Sequence, residues 1–384
     1  MFPKIQLGLL SLLSIFYVVS ASRAQSPQDQ MAPALDAIFS PLANASSPGL
    51  AVLVRKDGRT VFEHGYGARE LRSFAKIDSQ TNFRLASCSK QFTAMSIMLL
   101  VHDGKLRYDD KLTDVFPDFP VYGKAISIRN LLNHTSGLPD YEDLMVAAEK
   151  RKGAAIWTPT HQIQDAEVLD LLKQETAGKF APGTQWSYSN SGYVVLGLVV
   201  AKISGKPFAQ FLRERIFASL GTRQTLAYEK GKGEISQRAY GHSKDGKAWK
   251  ETDQSSTSAT LGDGGIYSSL EDLAKWDEAL AQRTLLSENE MRPALIPVKL
   301  ADGAQLKWPA DSDRPEGTPV AYGFGWFLDP YKEHQRMWHY GDTMGFHSYI
   351  ARFPADGLTI IVLTNRTDFD PESLALQVAD RALK

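Results

Sequence analysis

Cysteine is nearly absent: Cys88 stands alone in 384 residues, so no disulfide can form within the chain and stability must come from packing. An excess of either charge is missing too. Lys plus Arg total 43 against 44 Asp plus Glu, which excludes a bulk attraction to nucleic acid or to an anionic membrane, so any partner must be recognised by a local site. No internal repeat, low-complexity tract or long polar stretch marks a disordered arm. The 43% hydrophobic and 10% aromatic content is that of a chain that folds around a core. The eight histidines show no His-x-His or His-Glu-x-x-His spacing, so neither a metal nor another cofactor is expected. A Gly-x-Ser-x-Gly elbow is also missing, which argues against an α/β-hydrolase.

What is present begins with a leader. After Lys4 an apolar run extends from Ile5 to about Val19 and closes on Ala21-Ser22-Arg23-Ala24, with small residues where a signal peptidase cuts. The run is shorter than the roughly 20 residues that span a bilayer. Residues 1–24 therefore read as a signal peptide, and no cysteine adjoins the cleavage point to carry a lipid. The expectation is an exported protein, periplasmic or secreted, with no stable membrane anchor after cleavage and one mature domain over residues 25–384.

Periodicity sets the fold class. Met31–Leu42 has helical spacing, and Leu50–Val54 and Thr60–Tyr66 read as strands joined at Lys56-Asp57-Gly58-Arg59. Asn82–Ala86 is a short strand-like entry to a helix over Gln91–His102. Helical patterns follow at Ile128–Leu132, Gln164–Gln174, Gly192–Ile203 and Phe208–Ile216. After a helix at Leu270–Leu280 come strand-like runs at Gly323–Leu328, Arg336–His339, His347–Phe353 and Leu358–Thr364, and a closing helix at Glu372–Ala382. Strands at both ends with helices between give an α/β protein of the α+β type: one antiparallel sheet built from both termini and flanked by helices. That α/β part covers about residues 25–105 and 260–384, and a mainly helical lobe about 106–259 is inserted.

Three clusters carry chemistry. Ser87-Cys88-Ser89-Lys90 at a helix start puts Lys90 over the Ser87 hydroxyl, since positions i and i+3 share a face, and a serine needs such a base to attack a carbonyl. The helix dipole favours an anionic serine oxygen and disfavours a charged lysine. Spacing alone is weak evidence, because Ser73-Phe74-Ala75-Lys76 repeats it in a polar connection with no helix after it. Tyr188-Ser189-Asn190 reads as an extended loop that turns a phenol and a carboxamide toward one pocket, the phenol beside Lys90 as a proton carrier and Asn190 on a substrate amide. Trp338-His339-Tyr340-Gly341, at a strand end, allows close backbone approach, so the amides of Ser87 and Asp342 are candidates for an oxyanion hole. A second Ser/His/Asp set, His134, Ser136 and Asp140, is packed too tightly in sequence to align as a relay and reads as structural.

Ser87-x-x-Lys90, Tyr188-x-Asn190 and His339-x-Gly341, in that order, resemble the serine β-lactamase and penicillin-recognising peptidase superfamily, most nearly its class C-like branch. The resemblance spans nearly the whole mature chain and includes Phe83–Ala94, Leu131–Pro139 and Gly262–Ser269. It implies that Ser87 forms an acyl-enzyme, Lys90 and Tyr188 share the proton transfers, Asn190, His339 and Gly341 bind substrate, and the Ser87 and Asp342 N–H groups hold the oxyanion. Its relatives include D-alanyl-D-alanine carboxypeptidases, D-aminopeptidases and esterases, so a small peptide, ester or β-lactam is the implied substrate. His339 and Tyr340 stand where the β-lactamase pattern has lysine and a small hydroxyl residue, which turns the expectation toward D-amino-acid peptides or esters. The alternatives are a class C-like β-lactamase and a penicillin-binding sensor or structural protein without turnover. A histidine near its ordinary pKa of about 6.5 implies a charge that varies with pH.

Overall fold

Two strands buried on both faces form the centre of the molecule. In the computed structural model, which describes residues 27–310, 312 and 314–383, β1 (Leu50–Lys56) pairs with β2 (Arg59–Tyr66) across the Asp57-Gly58 turn. Both turn residues have positive φ, 50° and 75°, the conformation a two-residue hairpin of matching twist requires. From the other end of the chain come β3 (Met337–Thr343), β4 (Phe346–Phe353) and β5 (Leu358–Thr364). β5 lies antiparallel to β1, with Leu50 opposite Thr364 and Lys56 opposite Leu358, so the sheet order is β3-β4-β5-β1-β2. The antiparallel sheet expected from both termini is the one observed.

Side chains alternate between two apolar layers. Leu50, Val52 and Val54 with Ile360 and Val362 pack on the terminal helices Pro27–Phe39 and Pro371–Ala382 through Leu35, Phe39, Ala375 and Val378. Ala51, Leu53, Ile361 and Leu363 face the opposite layer, which includes Phe92 of the helix Lys90–His102 and Trp276 of the helix Leu270–Gln282. The Lys90 helix is buried from Lys90 through Leu100, so it runs through the interior rather than over the surface.

Several elements differ from the sequence expectation. Gly323–Leu328 is not a strand: Gly323 N–H donates to the Trp326 carbonyl at 2.9 Å, and Gly325, at φ 76°, turns the chain back against the Lys90 backbone. β3 continues through Gly341 to Thr343 instead of ending at His339. The lobe also holds a helix at Tyr141–Lys152, where only Tyr141 and Met145 are buried, and a hairpin of His242–Asp245 with Ala248–Glu251. The signal peptide expected at residues 1–24 lies outside the described residues.

Asp277 fastens the Leu270–Gln282 helix to the sheet. Its Oδ1 accepts from Arg352 Nε and from the Thr359 hydroxyl, both at 2.7 Å, and its Oδ2 accepts from Arg55 at 2.8 Å. All four residues are buried. Removing the carboxylate leaves the buried Arg352 without an ion pair and Arg55 with Glu278 alone, so Asp277→Ala should cost about 3–5 kcal/mol, read as a lower urea midpoint. A loss below about 1 kcal/mol would contradict this role.

Candidate active site

The entry to the Lys90 helix is strained at one residue. The short strand Phe83–Arg84 leads into a 3-10 turn, Ala86–Ser89, and Ala86 sits at φ 47°, a region that a residue with a Cβ seldom occupies. The turn carries Ser87 to the wall of a cleft of about 380 Å³, which Tyr188, Asn190, Tyr340 and Asp342 also line.

Lys90 is fully buried beneath Ser87. Its Nζ donates to Ser87 Oγ at 2.9 Å, to Asn190 Oδ1 at 2.8 Å and to the Asp263 carbonyl at 2.9 Å. Burial lowers its pKa from 10.5 to about 8, with the Asp263 carboxylate the leading influence in the opposite direction. Once neutral, the amine has two hydrogens and one lone pair for these three partners. Asn190 Oδ1 and the Asp263 carbonyl accept only, so the lone pair faces the one partner that has a proton to give, the Ser87 hydroxyl. The arrangement thus turns Lys90 into a base directed at one atom.

Asp263 carried no role in the sequence reading, although its setting was visible there. Gly262 packs where a Cβ would lie 2.2 Å from the Tyr193 carbonyl, so glycine lets this loop press onto the interior helices. The Gly262 carbonyl accepts from the Thr93 hydroxyl at 2.6 Å, and Leu261 N–H donates to Asp165 at 3.0 Å. These bonds present the Asp263 carbonyl to Lys90. The Asp263 side chain is buried and accepts from the Tyr141 hydroxyl at 3.3 Å.

Tyr188 and Asn190 reach the cleft by a different local structure from the one expected. Ser189 caps a helix, its Oγ accepting from Gly192 N–H at 3.1 Å, and Asn190 is the first helical residue of Asn190–Ser204. Tyr188 lies just outside the helix with its ring centroid 4.8 Å from Lys90 Nζ. Burial holds its phenol protonated; the nearby Tyr340 adds to this and the Ser87 hydroxyl opposes it, while the phenol oxygen itself is buried with no hydrogen-bond partner among the described residues.

The third cluster divides across β3. Tyr340 and Asp342 line the cleft, whereas His339 is fully buried below it. One His339 nitrogen bonds the Tyr322 hydroxyl at 3.2 Å and the other the Tyr340 carbonyl at 2.6 Å. Burial and the nearby Lys90 charge push its pKa down to about 3, so the expected pH-dependent charge is corrected: the imidazole stays neutral at ordinary pH. Gly341 lies against the Ser87 turn, where a Cβ would come 2.1 Å from the Leu85 carbonyl, so β3 borders the turn as the oxyanion geometry requires. Cys88 joins the two, its thiol donating to the His339 carbonyl at 3.3 Å. Ser73, the rival of Ser87, lies in an exposed connection and bonds Glu70. Asp140 and Asp143 also line the cleft beside Lys179, a concentration of carboxylates that the sequence spacing did not reveal. Among the described residues no cluster of metal-ligating side chains is found.

Comparison with known proteins places the chain in a family. The Beta-lactamase family model matches residues 35–383. A penicillin-binding protein of Bacillus subtilis (strain 168) is 31% identical over 363 residues, 91% of this chain and 75% of that protein. A D-aminopeptidase of Brucella ovis is 26% identical over 347 residues, 88% of this chain and 60% of that protein. Among solved structures, the D-amino acid amidase of Ochrobactrum anthropi SV3 complexed with L-phenylalanine amide superposes with a TM-score of 0.73 at 25% identity, covering 93% of this chain and 98% of that one. The octameric penicillin-binding protein homologue of Pyrococcus abyssi gives 0.70 at 25% identity, covering 88% and 74%.

The Lys90 environment fixes a pH dependence. Acylation of Ser87 by a p-nitrophenyl ester should rise with pH through an inflection near the lysine pKa of about 8. Asp263→Asn removes the leading influence that favours the ammonium, so the inflection should move to lower pH. An unchanged or higher inflection would show that the carboxylate does not tune Lys90.

Proposed function

The chain belongs to the Beta-lactamase family, and from that premise we propose that it is a serine hydrolase, acting through a Ser87 acyl-enzyme on D-amino-acid peptides, amides or small esters. The observation that carries this reading is the 2.9 Å contact between Ser87 Oγ and a buried Lys90 whose other partners only accept hydrogen bonds. Neutral Lys90 takes the Ser87 proton as Oγ attacks the carbonyl carbon, and the Ser87 and Asp342 N–H groups receive the negative oxygen. As the tetrahedral adduct collapses, Tyr188 gives its proton to the leaving nitrogen or oxygen and recovers one from Lys90. Water then attacks the acyl-enzyme by the reverse proton path, releasing the acid and restoring Ser87. Asn190, with its oxygen held by Lys90, offers its amide nitrogen to a substrate carbonyl.

The lining of the cleft supports an amine-bearing substrate. Among the described residues that line it, Asp140, Asp143 and Asp342 outnumber Lys179, which lies 3.9 Å from Asp143, and Asp342 also pairs with His347 at 3.1 Å; outside the buried Lys90, the balance favours an ammonium over the carboxylate of a β-lactam. The buried, neutral His339 offers no cation to offset that balance. Names among the relatives, D-aminopeptidase and D-amino acid amidase, fit the same substrate class. Residues 1–24 support export, so we place the hydrolase outside the cytoplasm.

Rates on a D-amino-acid amide, a short-chain ester and a cephalosporin, measured side by side, test the reading. Ser87→Ala should remove turnover of all three, and the cephalosporin should be the poorest substrate. Persistent turnover in Ser87→Ala sinks the mechanism, and a clear preference for the cephalosporin sinks the substrate class. Asp143→Asn should raise KM for a free-amine substrate by about fivefold and leave its N-acetylated analogue unchanged, since an exposed charge pair is worth up to about 1 kcal/mol.

A further inference from the structure

We propose that His134 is the positioning residue for Tyr188, clamping the backbone on both sides of it; this role rests on the serine-hydrolase reading. The sequence places His134 in the turn after the helix Ile128–Leu132, where it reads as structural. Its contacts are more specific than packing. The His134 carbonyl accepts the Ser187 N–H at 3.0 Å, and its Nδ1 accepts the Ser189 N–H at 3.1 Å. Both amides flanking Tyr188 therefore end on one residue. Between them the Tyr188 ring lies against the imidazole, centroids 4.4 Å apart at 38°. The imidazole of His134 is backed by Tyr322 at 4.6 Å and Tyr193 at 5.1 Å, whose own hydroxyls are tied to His339 and to the Leu132 carbonyl.

Two costs are borne to hold this arrangement. His134 has φ 63°, a left-handed backbone that costs a residue with a side chain of order 1 kcal/mol or more. With Nδ1 accepting, the neutral ring carries its hydrogen on Nε2, and that atom is buried with no hydrogen-bond partner among the described residues. A phenylalanine or leucine would fill the same space without an orphaned donor. What those residues lack is the acceptor for Ser189. Ser189 in turn caps the helix that begins at Asn190, and Asn190 grips Lys90, so the clamp on one amide sets the phenol and the amine together.

His134→Phe keeps a ring and removes the acceptor, His134→Gly relieves the left-handed backbone and removes the ring, and His134→Asn tolerates that backbone and restores an acceptor. Each is compared with wild type on a D-amino-acid anilide and on a p-nitrophenyl ester, whose leaving group needs little protonation. For Phe and Gly we expect kcat on the anilide to fall about 100-fold, with KM changed by less than about threefold and the ester much less affected. Asn should recover at least about a tenth of the wild-type anilide rate. Equal losses on both substrates, wild-type rates in a folded Phe or Gly variant, or no recovery with Asn would overturn the role. A crystal structure of the Gly variant gives a readout independent of turnover: Tyr188 should shift from Ser87 by about 1 Å or more, and an unmoved Tyr188 overturns the proposal. Failure of the hydrolase reading looks different: wild type turns over neither substrate, or Ser87→Ala retains turnover, while the Tyr188 position still decides the role of His134.

Discussion

An amine buried beneath a hydroxyl is the constraint around which the site is assembled. An unpaired ammonium in an apolar interior costs several kcal/mol, so Lys90 either has its hydrogens accepted or loses one. The chain does the first with three oxygens from three separate segments: Ser87 on its own turn, Asn190 on the lobe and Asp263 on the returning loop. The second happens near neutrality, because burial has already weakened the charged form. One residue therefore couples the packing of two lobes to the protonation state of a base.

The scaffold answers that constraint with rigidity. The left-handed Ala86 and His134 are conformations a free peptide avoids, and they persist because neighbouring elements over-determine them. Behind Ala86 stands β3, close enough that Gly341 admits no side chain, and behind His134 stands a cluster of aromatic rings. The Asp277 network holds the opposite side of the sheet, so the strands that carry the cleft have little freedom to relax. A serine hydroxyl placed to within a few tenths of an ångström needs this kind of support.

Legibility from the sequence followed the strength of the local signal. β1 and β5 are largely apolar runs recognisable as strands; their places at opposite ends of the chain point to one sheet, and short turns between the late strands point to its antiparallel order. Gly323–Leu328 imitates a strand in composition, but its glycines permit a reversal that composition does not express. Tyr141–Lys152 has capping residues, Asp140 and Gly153, yet too few buried positions for its period to stand out. In the site, Ser87, Lys90, Tyr188 and Asn190 stand out in the sequence because their spacing is local or familiar, and the structure brings them to one cleft. Asp263 meets Lys90 through its carbonyl and its carboxylate's charge, and His134 meets the Tyr188 segment through a carbonyl and a ring nitrogen, contacts that no residue pattern encodes, while Asp140 and Asp143 meet the cleft only through tertiary packing.

The two-residue alternation of β3 has an evolutionary consequence. Tyr340 and Asp342 project into the cleft, while His339 and Gly341 face the interior and the Ser87 turn. Neighbouring codons thus face different selection: one set is free to drift toward new substrates, and the other is pinned by the alignment of the nucleophile. A change at Tyr340 or Asp342 alters the lining of the cleft, whereas one at His339 or Gly341 disturbs the turn that holds Ser87.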